Sequence, residues 1–174
     1  EAWGILEHPE LQSRFDTVVV AVIDTMIDTT HTDLVGNVLA ADGYDFVRGE
    51  TLDRDAVANE NHGTHVAGLI GAEANNGQDI TGLGRNLVKI LPLRVINESG
   101  GPTDEPATTV DMLIEAVLYA AGLPNNTGTP SRTAQVISMS LGGNNGSYLG
   151  FELGETVQEV EARGITVVAA AGND

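Results

Sequence analysis

The chain has 174 residues, enough for one domain with a sizeable core, and its 41% share of hydrophobic residues is ordinary for a globular protein. Eight Lys and Arg against 25 Asp and Glu give a formal charge of -17. That charge repels phosphate backbones and anionic lipid surfaces, so neither nucleic acid nor a membrane is an expected partner, and the absence of cysteine excludes a disulfide framework and thiolate chemistry.

Between the first residue and Asp16, Trp3, Ile5, Leu6, Leu11 and Phe15 are spread among polar residues, a pattern for a short amphipathic helix packed outside a sheet as an N-terminal extension. Thr17 to Ile23 is an almost unbroken β-branched run and predicts a strand buried on both faces, as in a parallel sheet. It stops at Asp24. A carboxylate closing such a strand lies at the carboxyl edge of the sheet, where open α/β folds place ligands and catalytic groups, although a turn aspartate would read the same way. Residues 28–55 are rich in Asp, Gly, Thr and Asn and read as loops around a short strand at Tyr44 to Val47.

The stretch Asn61-His62-Gly63-Thr64-His65-Val66-Ala67-Gly68 then places a histidine at a strand-to-helix connection. Val66, Leu69 and Ile70 fall at helical spacing, so a helix runs from about Thr64 to Ala74 with His62 in or just before its first turn. A general base can sit there if a carboxylate elsewhere fixes its tautomer; a histidine pair three residues apart is also ordinary helix-face chemistry. Asn75-Asn76-Gly77-Gln78-Asp79 is turn-prone. Val88 to Val95 predicts a second central strand, with Pro92 arguing for irregular or edge pairing because it lacks an N–H.

After a Gly, Pro and Ser rich loop from Asn97 to Pro106, the residues Val110, Leu113, Ile114, Val117, Leu118 and Ala121 follow i, i+3, i+4 spacing. Thr108 is the expected N-cap of that helix and Gly122 its stop. Ala134 to Met139 is a third strand running into Ser140-Leu141-Gly142-Gly143, an acidic helix spans about Glu152 to Ala162, and Thr166 to Ala171 is a fourth strand. Alternating strands and helices, with no internal repeat and no linker tract, predict one α/β domain with a mostly parallel sheet and right-handed crossovers.

Four blocks carry a resemblance. Asp24-Thr25 closing Val19 to Ile23, the His62 block, Ser138-Met139-Ser140-Leu141-Gly142-Gly143, and Ala169-Ala170-Ala171-Gly172-Asn173 occur in the order and approximate spacing of the subtilisin-like serine proteases. They run from about Thr17 to the last residue, and the His-Gly-Thr-His-Val-Ala-Gly block is highly specific. The resemblance implies a subtilisin-like α/β fold, with helices on both faces of a mostly parallel central sheet, and an endopeptidase acting on peptides or proteins through an Asp-His-Ser triad and an acyl-enzyme. It makes Asp24 the carboxylate that orients the base, His62 the base, and the Asn173 amide a donor to the oxyanion. His65 becomes structural.

On the same resemblance, Ser140, Leu141 and Gly142 form one wall of the pocket for the residue before the scissile bond, and Ala170, Ala171 and Gly172 the other. Ser99, Gly100 and Gly101 resemble the segment that pairs with substrate backbone as an added strand. Asn75 to Ile80 resembles the family's calcium loop, with Asp33 and Asn76 as ligands to a structural calcium ion; an uncomplexed polar turn is the other reading. Secretion is the usual fate of the family.

Two departures qualify the match. Met26 stands where the family has Gly after Asp-Thr, and a positive φ there would strain a methionine. The family's nucleophile lies in a Gly-Thr-Ser-Met-Ala type block, and Ser13, Ser99, Ser131, Ser138, Ser140 and Ser147 all stand in other contexts. Residues 1–174 are therefore expected to be the N-terminal part of a single peptidase domain, truncated before the nucleophile segment, inactive alone and completed by a C-terminal remainder carrying the serine. A pseudoenzyme that keeps the cleft and only binds peptides, and a calcium-stabilised structural module, are the alternatives.

Overall fold

The computed structural model describes residues 3–4, 8, 16–52, 61–97, 108–142 and 149–172. Among these residues six strands form one sheet: β1 (Val18–Asp24), β2 (Tyr44–Asp45), β3 (Glu50–Thr51), β4 (Val88–Arg94), β5 (Val136–Met139) and β6 (Thr166–Ala169), in the order β3-β2-β4-β1-β5-β6. Every pairing is parallel except the short β2–β3 ladder. Among the described residues three α-helices connect these strands: α1 (His62–Gly71), α2 (Val110–Ala121) and α3 (Leu149–Ala162).

β1 is the centre of the sheet because its sequence suits burial on both faces. Val19, Ala21 and Ile23 point into a cluster with Leu113, Ala116, Val117 and Ala120 of α2 and Val160 of α3, while Val20 and Val22 pack on the opposite face with Ile27, Leu34 and Ala67 of α1. Helices therefore cover both faces, two on one side and one on the other. Full burial of each Val or Ile in such a strand stabilises the fold by about 1.5–3 kcal/mol. The consequence for chemistry is that Asp24, the last residue of β1, is carried into the interior at 0% exposure.

Pro92 lies in the middle of β4, opposite Val22 of β1, rather than in an edge strand. Ile90, two residues earlier and so directed the same way, exchanges backbone bonds with Asn37 and Leu39. Pro92 comes next on that side and meets the 3-10 turn Ala40–Asp42 and Gly43, where the neighbouring chain leaves the ladder before rejoining it at β2. The missing N–H thus falls where no ladder bond is required.

α2 begins one residue later than expected: Thr109, in extended conformation, accepts from Met112 N at 3.2 Å, and Gly122 closes the helix in the left-handed region. Tyr119 of α2 donates its hydroxyl to the Asp42 carbonyl at 2.8 Å, and burial, with Asp42 and Tyr44 adding to it, pushes its pKa up to about 12. Leu69 of α1, expected on the apolar face, is 55% exposed. The N-terminal extension lies outside the described residues apart from Trp3, Gly4, His8 and Asp16. Trp3 Nε1 donates to Leu83 O at 3.2 Å, with the Arg85 guanidinium 5.4 Å from its ring.

Candidate active site

The carboxyl ends of β1, β5 and β6 lie along one edge of the sheet, because these strands are parallel. At that edge His62 opens α1, and its Nδ1 is 2.7 Å from Asp24 Oδ1. An ionised Asp24 fixes the proton on Nδ1 and leaves Nε2 free to accept one. The Asp24 carboxylate is wholly buried while the His62 side chain is 48% exposed, so the ring is held from the protein side and open on the other. Asp24 Oδ1 also accepts from Thr25 N at 2.7 Å, whereas the buried Oδ2 has no hydrogen-bond partner among the described residues.

Two further contacts set the approach of helix to strand. Thr25 Oγ1 accepts from Gly63 N at 2.9 Å, and Thr64 Oγ1 accepts from Asp28 N at 2.9 Å. Asn61 makes no side-chain cap, so a threonine 38 residues upstream takes one of the N–H groups that a helix start leaves unpaired. Gly63 is required by the same approach: a Cβ there would lie 2.6 Å from the Thr25 carbonyl oxygen. Sequence reasoning missed Thr25 and Gly63 as positioning residues. The signal available was their adjacency to Asp24 and His62, but nothing in the sequence pairs them.

Met26 follows in the same turn without strain, since the non-glycine residues with positive φ among those described are Asn75 and Arg85. Its side chain is buried, at 8% exposure. The tight turn that a glycine would allow is not used here.

At the other end of this edge, Ala170 N continues the β5–β6 pairing by donating to Met139 O at 3.0 Å. Beyond it Gly142 and Gly172 run close enough that a Cβ on Gly142 would meet Gly172 Cα at 3.9 Å. Ser140 and Leu141 are half-buried; Gly142, Ala170, Ala171 and Gly172 are exposed. Ser99, Gly100, Gly101 and Asn173 lie outside the described residues.

Asp33 and Asn76 come together on the α1 side. Asp33 is 2% exposed, its Oδ1 accepting from Asn76 Nδ2 at 2.7 Å and its Oδ2 from Ile80 N at 3.1 Å. His65 does not bond His62 but lines, with Asp28, His31, Asp33 and Asp79, an open cavity of about 340 Å³ beneath α1. Among the described residues no three His, Asp or Glu side chains are arranged to hold a metal ion, and no helix is long and apolar enough to cross a membrane.

The Peptidase_S8 family model, described as the subtilase family, matches residues 16–174. An extracellular protease of Xanthomonas campestris pv. campestris is 36% identical over 90% of this chain and 29% of its own length. The major intracellular serine protease of Bacillus subtilis is 31% identical over 100% of this chain and 49% of its own. Among solved structures, a protease from Pseudoalteromonas arctica superposes with a TM-score of 0.70 at 32% identity, over 97% of this chain and 54% of that one. The chain thus spans about half or less of the length of these relatives. A buried acid closing the central strand, a histidine opening the next helix and a family match from Asp16 to the last residue agree: the chain belongs to the subtilase family.

Proposed function

We propose that the protein containing this chain is a serine endopeptidase whose acid–base pair is Asp24 and His62. The observation carrying this reading is the 2.7 Å contact between a fully buried carboxylate and a half-exposed imidazole at the carboxyl edge of a parallel sheet. Among the described residues Asp24 is the one hydrogen-bond partner of the His62 imidazole ring. A serine from a segment outside these residues would therefore complete the triad.

In the proposed reaction the serine hydroxyl attacks a peptide carbonyl while His62 Nε2 takes its proton. The imidazolium is stabilised by Asp24 and returns the proton to the leaving amine, and water then cleaves the acyl-enzyme by the same exchange. Asn173 would donate to the carbonyl oxygen as it becomes negative. Substrate would lie extended beside Ser99, Gly100 and Gly101, with the preceding side chain between Ser140-Leu141-Gly142 and Ala170-Ala171-Gly172. The C-terminal remainder of the domain would be the partner of this chain and would supply the serine.

For calcium, the residues fit in chemistry: one buried carboxylate, one amide oxygen and neighbouring carbonyls are hard donors that suit this ion better than magnesium. Asp33 and Asn76 would hold it, in exchange for the hydrogen bonds that Asn76 now makes to Asp33 and Gln78 N. Its role would be to tie the 75–80 loop to the turn around Asp33. Secretion is proposed from the family resemblance, although the relatives' names point both outside and inside the cell.

Chromogenic peptide turnover by the full-length protein tests this reading. Hydrolysis should be blocked by a serine-directed fluorophosphonate and abolished by His62→Ala, and the 174-residue chain alone should be inert until mixed with its remainder. Turnover by the rigorously purified 174-residue chain, or full activity after His62→Ala, would overturn it; peptide capture without turnover by the intact protein would favour a binding-only relative.

A further inference from the structure

We infer that Asn76 is a self-deamidating site, which converts the 75–80 loop with age from a hydrogen-bonded form into an acidic one. Asn76-Gly77 is the one Asn-Gly pair among the described residues. Deamidation needs the next backbone nitrogen to reach the asparagine side-chain carbon, and a side chain on the next residue shields that nitrogen. Gly77 has none, adopts φ +74, and among the described residues nothing lies within 4 Å of where a Cβ would be. Asn76 is itself exposed.

The local hydrogen bonds shape the attack. Asn76 Oδ1 accepts from Gln78 N at 3.0 Å, an Asx turn that folds the side chain back over the Gly77 peptide and polarises its carbonyl. The Gly77 nitrogen loses its proton to base and bonds to Asn76 Cγ. The bond to Nδ2 breaks, that nitrogen takes a proton from water and leaves as ammonia, and a succinimide remains. Water opens the ring at either carbonyl, giving aspartate or isoaspartate. One amide and one water become one acid and one ammonia, with no redox change.

The position gives the conversion a consequence. Nδ2 now donates to the buried Asp33 carboxylate at 2.7 Å, and the product puts a second carboxylate there, with Asp79 lining the same cavity as Asp33. Without a cation the like charges repel; with a divalent cation they attract it. This consequence rests on the calcium reading, whereas the conversion does not.

The experiment holds the full-length protein at mildly alkaline pH, with chelator or with calcium chloride, then maps peptides by mass spectrometry and isoaspartyl methylation. Conversion is expected at Asn76, faster in chelator than in calcium, with none over the same period at Asn37, which is buried and precedes Val38, or at Asn86, which precedes Leu87. An intact Asn76 in the folded protein under both conditions, while the urea-unfolded chain converts, would overturn the inference. Equal rates with and without calcium would leave the conversion standing and sink the calcium reading. Asn76→Asp provides the second test: Tm should fall by about 2–4 °C in chelator and respond more strongly to added calcium than the parent. An unchanged Tm in chelator would refute the proposed effect of the new charge.

Discussion

Asp24 ends a strand bonded on both sides and covered on both faces, whereas Ala169 ends a strand bonded to β5 on one side, with Thr166, Val168 and Ala169 exposed. The first end is also stitched to its helix: Asp24 to His62, Thr25 to Gly63 and Asp28 to Thr64. The second relies on backbone pairing to β5, which continues through Ala170 N. The proposed acid–base pair is therefore preorganised by contacts within this chain, while the proposed pocket wall takes little support from side chains. Sensitivity to substitution should differ accordingly between the two ends.

The largest expected effect is on turnover. His62→Ala in the full-length protein should reduce kcat by about 10⁶-fold, a size known for this family's triad histidine and not obtained from the geometry. The fold should survive, since the ring is half-exposed. Retained activity with an intact fold would show that the stitched end is scaffold rather than chemistry.

Gly63→Ala comes next because it tests the stitching itself. The added Cβ would lie 2.6 Å from the Thr25 carbonyl oxygen, a backbone atom that cannot rotate aside. Relief requires α1 to move from β1, at about 1–3 kcal/mol of overpacking. Denaturant midpoint and kcat should fall together, because the same movement separates His62 from Asp24. Gly142→Ala at the other end meets, among the described residues, only Gly172 Cα, at 3.9 Å, and should leave stability almost unchanged. Equal losses at the two glycines would erase the contrast.

The parts of this arrangement that could be read from the sequence are those with a local signature. β1 announces itself as a β-branched run closed by an acid, and α2 by apolar residues every three or four positions. His62 stands in a block specific enough to identify the family. What could not be read depends on partners far along the chain. Thr25 and Gly63 are 38 residues apart, and neither type alone implies the other. Pro92 argued for irregular or edge pairing because the sequence cannot show that the chain beside it turns away at residues 40–43. Thr108 and Thr109 are equivalent by composition, and the extended backbone of the second decides which caps α2. The expected φ problem at Met26 does not arise, because that backbone conformation is not used.

Thr25→Val separates the cap from the packing. The β-branched shape is kept while Oγ1, the acceptor for Gly63 N, is lost. A cap of this kind contributes about 0.5–2 kcal/mol, so chemical denaturation should show a loss in that range, with Thr25→Ser restoring most of it. Absence of any loss would mean that α1 is placed by apolar packing alone.

Val168→Thr, on β6, should have the smallest effect. The side chain is 52% exposed, and threonine keeps the branched shape that suits a strand, so removing its apolar character exchanges little buried surface. Stability of this chain should change by less than about 0.5 kcal/mol. The same substitution in the full-length protein is the sharper measurement, because burial of a Val contributes about 1.5–3 kcal/mol and only a covered Val168 can lose a comparable amount. A loss of that size there, against none in the 174-residue chain, would show that the exposed strand edge is an interface and that the proposed pocket wall beside it gains its rigidity from what covers it.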